Sequence, residues 1–144
     1  MTKWNKAYMD VAERFAELST ARRLKVGAII VKDNRIISIG YNGMPSGWDN
    51  CCEEEVVTEY GSYTDSALVT KKEVIHAEAN AISKLASSND SGKDADIFIT
   101  HAPCIHCAKL IYGTSIKRVY FKNIYRSDEG IKFLESCKIE VQQI

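Results

Sequence analysis

Two short stretches of this chain hold the residue types that could do chemistry: His76-Ala77-Glu78 and Pro103-Cys104-Ile105-His106-Cys107. They offer one imidazole and two thiols in a C-x-x-C spacing, which makes three N/S donors. That is the donor set of a catalytic zinc, whose fourth tetrahedral position stays open for water. Zinc brings the pKa of that water down towards neutrality, so hydroxide is available at ordinary pH. Glu78 is not needed as a ligand. It is free to carry a proton between the water and a substrate nitrogen.

Other uses of these residues fit less well. A thioredoxin-like redox pair would place its C-x-x-C after the first strand of the fold, whereas here the motif follows the third expected strand. A c-type haem site needs histidine directly after the second cysteine, and that position is Ala108. A structural zinc wants four protein ligands. His106 lies inside the C-x-x-C, but residue 106 turns to a different face of a helix from residues 104 and 107. Cys137 reads as a small core residue.

The elements that must position these groups follow from periodicity. Residues 3–18 carry Trp4, Ala7, Tyr8, Val11, Ala12, Phe15 and Leu18 at the spacing of one apolar helix face, with Thr2 as N-cap. Val26–Val31 and Ile36–Tyr41 read as strands joined by the turn Lys32-Asp33-Asn34-Arg35. Their nearly continuous apolar runs predict a sheet covered on both faces. Turn residues Gly40-Tyr41-Asn42-Gly43-Met44-Pro45 follow, with Asn42 at a strand end where it could meet a sugar hydroxyl. Residues 46–73 read as a long irregular insert, and Glu53-Glu54-Glu55 within it as a solvated face.

Val74 to Ala86 is expected to be a helix. Residues two apart share no helix face, so His76 and Glu78 converge only at its first turn, where backbone N–H groups are also free. Asp96–Thr100 reads as a strand, Cys104–Tyr112 as a helix, Ile116–Phe121 as a strand, Asp128–Ser136 as a helix and Ile139–Ile144 as a last strand. Crossovers through helices make the later strands parallel. The expected fold is α/β, a three-layer α/β/α sandwich with a five-stranded mixed sheet, in one domain over 1–144.

Composition bounds the partners. The 144 residues are 45% hydrophobic and 26% charged, and 19 Lys plus Arg balance 19 Asp plus Glu. No basic excess or stripe offers a grip on a nucleic acid polymer, so a small-molecule substrate is expected. No apolar run suits a membrane span or a signal peptide. Five cysteines, an odd count, read as a reducing, cytoplasmic setting rather than a disulfide framework.

The pieces RRLKVGAIIVKDNRIISIGYNGMP, HAEANAI and APCIHCAKLI, with the tail IKRVYFKNIY, resemble the cytidine/deoxycytidylate deaminase superfamily over almost the whole chain. HAE with PCxxC marks the superfamily. The VGA…GYNGMP stretch is most similar to its deoxycytidylate (dCMP) deaminases. The resemblance implies zinc-dependent hydrolysis of dCMP to dUMP and ammonia, which feeds thymidylate synthesis. His76, Cys104 and Cys107 would hold one zinc ion, and Glu78 would be the catalytic proton carrier. Ala77 would meet the base through its amide, Asn42 the deoxyribose and Arg23 the phosphate, with Tyr125 closing over the nucleotide.

The same resemblance implies a homohexamer activated by dCTP and inhibited by dTTP. Gly40, Tyr41, Asn42 and Gly43 would contribute to the effector site, with Mg²⁺ accompanying a bound triphosphate. Some relatives hold a second, structural zinc through cysteines of the insert and histidines just before HAE. Cys51 and Cys52 are present here, but residues 53–75 contain no histidine. Two alternatives remain at this stage: a related zinc deaminase acting on a base in tRNA or single-stranded DNA, and a non-catalytic, zinc-stabilised binding module.

Overall fold

A computed structural model describes residues 2–144. Among the described residues four helices, α1 (Lys3–Ala16), α2 (Ala77–Ala86), α3 (Ile105–Gly113) and α4 (Glu129–Ser136), flank the larger of two sheets. The larger sheet is formed by β1 (Gly27–Lys32), β2 (Arg35–Tyr41), β5 (Asp96–His101), β6 (Arg118–Asn123) and β7 (Glu140–Gln143) in the order β2-β1-β5-β6-β7. The smaller is the hairpin of β3 (Glu53–Tyr60) and β4 (Tyr63–Thr70). β1 runs antiparallel to β2 and β5, while β5, β6 and β7 run parallel. This is the three-layer sandwich with a mixed sheet that the sequence predicts.

Strand alternation decides which layer each side chain serves. Ala28, Ile30, Ile97, Ile99 and Val119 face α2, α3 and α4, where Ala81, Ile111 and Leu134 meet them. Ile29, Val31, Phe98 and Tyr120 face α1. Phe98 stacks on Tyr120 with ring centroids 4.7 Å apart. β1 is buried on both faces as expected, but β2 is an edge strand, exposed at Arg35 and Ile36.

Thr2 caps α1 by accepting from the Asn5 N–H at 3.1 Å. The helix ends two residues before the predicted Leu18, and the apolar stripe is rotated from the predicted one. Tyr8, Met9, Ala12 and Ala16 are buried, whereas Trp4 and Leu18 are about half exposed. Trp4 is one turn before Tyr8 and stacks on it with ring centroids 6.2 Å apart.

The insert differs from its predicted irregularity. β3 and β4 pair without a break from Glu53↔Thr70 to Tyr60↔Tyr63 around Gly61-Ser62. A two-residue connection beginning with glycine at φ +64° suits a hairpin, and β-branched and aromatic residues populate both strands. Most of the hairpin is exposed, including Val56, Val57, Tyr60 and Tyr63. Glu54 and Glu55 are solvated as expected; Glu53 is not, being 4% exposed. No helix among the described residues is long and apolar enough to cross a membrane.

Candidate active site

Two helix starts meet at the end of the sheet. His76 is the N-cap of α2 and Cys104 the N-cap of α3, both in extended conformation, and Cys104 Sγ accepts the Cys107 N–H at 3.4 Å. Cys104 thus turns back over its own helix start, whereas His76 makes no side-chain cap bond; unpaired N–H groups at both starts favour anionic partners.

Each helix is seated on its neighbour at a glycine. A Cβ on Gly40 of β2 would stand 2.3 Å from the Ala77 carbonyl oxygen of α2. One on Gly130 of α4 would stand 2.1 Å from the Pro103 carbonyl oxygen, just before α3. α2 is further tied to β2 by Ser38 Oγ donating to the Ala81 carbonyl at 2.6 Å and by Asn80 Nδ2 donating to the Tyr41 carbonyl at 2.8 Å. Gly43 and Ile75 exchange backbone hydrogen bonds at 3.1 and 2.8 Å, immediately before His76.

The result brings the predicted donors together. His76 Nδ1 lies 3.6 Å from Cys104 Sγ and 3.4 Å from Cys107 Sγ, and the three ligand atoms all fall within 4.8 Å of one another. A tetrahedral zinc with Zn–S of about 2.3 Å and Zn–N of about 2.0 Å has S–N edges of about 3.5 Å, so the set fits that ion. Its proton chemistry fits too. Hydrogen bonds from Cys107 and then His76 hold the Cys104 thiol down to about 3, while sharing a proton with Cys104, then burial, pushes Cys107 up. The hydrogen bond to Cys104 raises His76, with burial working against it. Donors crowded enough to compete for protons suit a divalent cation that replaces those protons. His106 is exposed and stands outside the cluster. Among the described residues, Cys51 and Cys52 belong to no such group.

Glu78 is 4% exposed, and burial, its largest influence, raises its carboxyl above the usual range. A carboxyl so placed can hold a proton and give it up again. His76, Glu78 and Cys104 form the floor of a cavity of about 470 Å³, a size suited to one small ligand, with Cys107 buried and outside its lining.

The upper wall comes from segments distant in sequence. Arg23, Asn42, Glu53, Tyr125 and Arg126 all line the cavity. Arg23 Nη1 donates to Thr70 Oγ1 of β4 at 3.0 Å, and the Arg126 guanidinium lies 5.5 Å from the Tyr125 ring centroid. Asn42, expected to meet a sugar, already has both ends of its amide engaged. Its Oδ1 accepts the Val26 N–H at 2.9 Å and its Nδ2 donates to the Leu24 carbonyl at 2.8 Å. Ala77 lines the floor beside His76.

Sequence reasoning missed Glu53, His101 and Arg126. Glu53 looked like its solvated neighbours, and Arg126 stood beside Tyr125 without a motif of its own. His101 is the last residue of β5, and its Nδ1 lies 2.9 Å from Thr100 Oγ1, which also accepts the Gly27 N–H at 3.1 Å. Burial, opposed by Glu13, lowers the His101 pKa.

The chain is similar to known proteins over most of its length. The family model described as the cytidine and deoxycytidylate deaminase zinc-binding region matches residues 2–123. The crystal structure of dCMP deaminase from cyanophage S-TIM5 in complex with dCMP and dUMP superposes with a TM-score of 0.87 at 39% identity, covering 100% of this chain and 99% of that one. The human deoxycytidylate deaminase is 37% identical over 132 residues, 89% of this chain and 70% of its own. That of Mycobacterium phage D29 is 34% identical over 121 residues, 82% of this chain and 93% of its own.

Proposed function

Because this chain belongs to the cytidine and deoxycytidylate deaminase family, we propose that it hydrolyses dCMP to dUMP and ammonia with one Zn²⁺ per chain. The observation that carries the reading is the cluster of His76, Cys104 and Cys107 beside a buried Glu78, on the floor of a cavity that suits one small ligand. Held by those three residues, zinc supplies an activated water for attack at C4 of the base.

The chain's own residues do the rest. Glu78 would accept a proton from that water and deliver it to ring N3, then take the proton of the new C4 hydroxyl and pass it to the departing 4-amino group, so that water in equals ammonia out. Burial keeps the carboxyl away from bulk water, and its raised proton affinity suits a group that must both take and return a proton. The Ala77 amide contacts the base. Arg23 meets the 5′-phosphate with the forked donors of its guanidinium, and Tyr125 covers the nucleotide.

Regulation extends this reading: activation by dCTP, carried with Mg²⁺, and inhibition by dTTP in a homohexamer. It rests on the resemblance of the Gly40–Gly43 turn to that of the dCMP deaminases. The turn's link to Ile75 gives it a mechanical route to His76.

The test is an ultraviolet deamination assay on zinc-loaded protein, offered dCMP, deoxycytidine and dCTP separately, with Glu78→Gln alongside. Turnover of dCMP that disappears in the variant is the expected result. No dUMP from a zinc-replete sample would sink the proposal, and an added boost from dCTP would support the regulatory part.

A further inference from the structure

Beyond its base, the β3–β4 hairpin takes no part in the chemistry above. Among the described residues, its hydrogen bonds to the body lie at that base: Glu53 accepts the Arg22 and Arg23 N–H groups, and Thr70 meets Arg23. The two strands form a sheet of their own, so neither outer edge has a partner strand. A two-stranded hairpin is marginal by itself in water and needs a surface to pack on.

The register divides its residues between two faces. Glu53 and Thr70 are paired and share the face turned to the cavity, with Val57 further along it. The opposite face carries Val56, Ala67 and Val69, and at its tip Tyr60 and Tyr63, whose ring centroids are 6.2 Å apart. All five are exposed, the tyrosines by 62% each. Two paired strands of eight residues make a strip about 27 Å long and about 10 Å wide, or roughly 270 Å² in projection. That is comparable to an apolar patch that marks an interaction site, but well below the roughly 800 Å² per partner of a stable interface. Two arms exchanged between a symmetric pair of chains come closer to it, because each chain then buries its own arm and the surface that receives the other.

Charge selects what covers the arm. Residues 46–70 hold six acidic side chains and no Lys or Arg, which leaves 19 Lys plus Arg against 13 Asp plus Glu in the rest of the chain. Glu54 and Asp65 stand on the apolar face itself. The complement is an apolar surface with basic residues beside it. The exposed side of α3 offers one: Leu110 and Tyr112 are about half exposed, His106 and Lys109 are exposed beside them, and the helix holds no acidic residue.

We propose that the hairpin is an exchange arm, whose Val56, Tyr60 and Tyr63 face packs on the exposed side of α3 in a second copy of this chain, and reciprocally. The inference rests on the assembly part of the reading above and names the contact that joins two copies. Each arm thereby braces, in the other chain, the helix whose start bears two of the metal-ligating residues.

The test is sedimentation of the zinc-loaded full chain over a dilution series. Tyr60→Ser with Tyr63→Ser is expected to raise the dissociation constant of the assembly about 10- to 100-fold, the range for losing aromatic anchors of an interface. Leu110→Ser should weaken it in the same direction. Val57→Thr, an exposed change on the opposite face, should leave it as in the wild type, with bound zinc and circular dichroism unchanged in all of them.

A second measurement uses the wild-type protein alone, in case a variant folds poorly. Heavy-nitrogen-labelled and unlabelled chains are mixed at a dilution where the assembly dissociates, concentrated again, and joined by a carbodiimide, which links a carboxylate directly to an amine. Mixed-isotope links from Glu54, Glu59 or Asp65 to Lys109 are expected; residues 46–70 contain no lysine, so such links cannot run from arm to arm. Undiminished association of the folded tyrosine variant, or mixed-isotope links that leave out the arm, overturns the exchange arm while the assembly stands. A wild-type chain that is monomeric at every dilution removes both and leaves the arm to a different, basic protein, and dCMP turnover then judges the deaminase reading separately.

Discussion

The floor and the rim of the cavity are built on opposite plans. The floor comes from the first turns of α2 and α3, each set against a glycine at backbone contact distance. The rim is gathered from the segment after α1, the base of the β3–β4 hairpin and the loop after β6. Its members are tied by hydrogen bonds, such as Arg23 to Thr70 and the Arg22 and Arg23 N–H groups to Glu53, rather than by helix packing. Bond-making chemistry requires distances fixed to a fraction of an ångström, which rigid elements provide. Recognition of a sugar phosphate tolerates more movement, and loops on a rigid scaffold can supply it.

If that contrast is right, damage to the floor should appear in kcat and damage to the rim in KM. The largest effect is expected from Glu78→Gln, a loss of about 10²- to 10⁴-fold in kcat with KM little changed and bound zinc intact by metal analysis. A variant that instead lost its zinc would assign Glu78 to holding the site together. Next comes Arg23→Ala, with KM for dCMP raised about 10- to 100-fold, kcat nearly unchanged and any turnover of deoxycytidine unaffected. An equal fall in kcat would erase the distinction between the two regions.

Smaller effects test how the floor is seated. Gly40→Ala and Gly130→Ala each place a methyl against backbone atoms that cannot swing aside, costing about 1–3 kcal/mol. Thermal melts should show both destabilised, with weaker zinc retention, whereas Gly43→Ala, whose Cβ would meet nothing within 4 Å, should melt close to the wild type. Equal melting of all three would mean that the helices adjust freely.

The smallest expected effect belongs to His101. Burial lowers its folded pKa, so above its unfolded value of about 6.5 it brings no penalty. As pH falls through that value the unfolded chain takes up a proton that the folded chain resists, and stability declines. Melting temperature should therefore drop less between pH 7.5 and 5.5 in His101→Gln than in the wild type. An unchanged slope would leave the acid sensitivity to the metal ligands.

Much of this architecture was legible because it is local. Cys104 and Cys107 at i and i+3 must meet on one helix face, and His76 and Glu78 can converge only at a helix start. Crossovers through helices imply the parallel strands β5, β6 and β7. The hairpin had a local signal too: Gly61-Ser62 between runs rich in β-branched and aromatic residues is a two-residue turn.

What sequence could not provide is long-range. Whether Glu53 or Glu55 is buried depends on the Arg22 and Arg23 N–H groups, some 30 positions away. That the Asn42 amide braces Leu24 and Val26 is set by residues 18 and 16 positions away. Which side of α1 is covered depends on where Phe98 and Tyr120 stand in the sheet. The residue types and their spacing thus determined a His/Cys donor cluster with a carboxylate beside it, since covalent geometry limits what a single helix turn can present. The folded chain alone decided which polar groups surround it, because hydrogen-bond partners distant in sequence meet only in the tertiary structure.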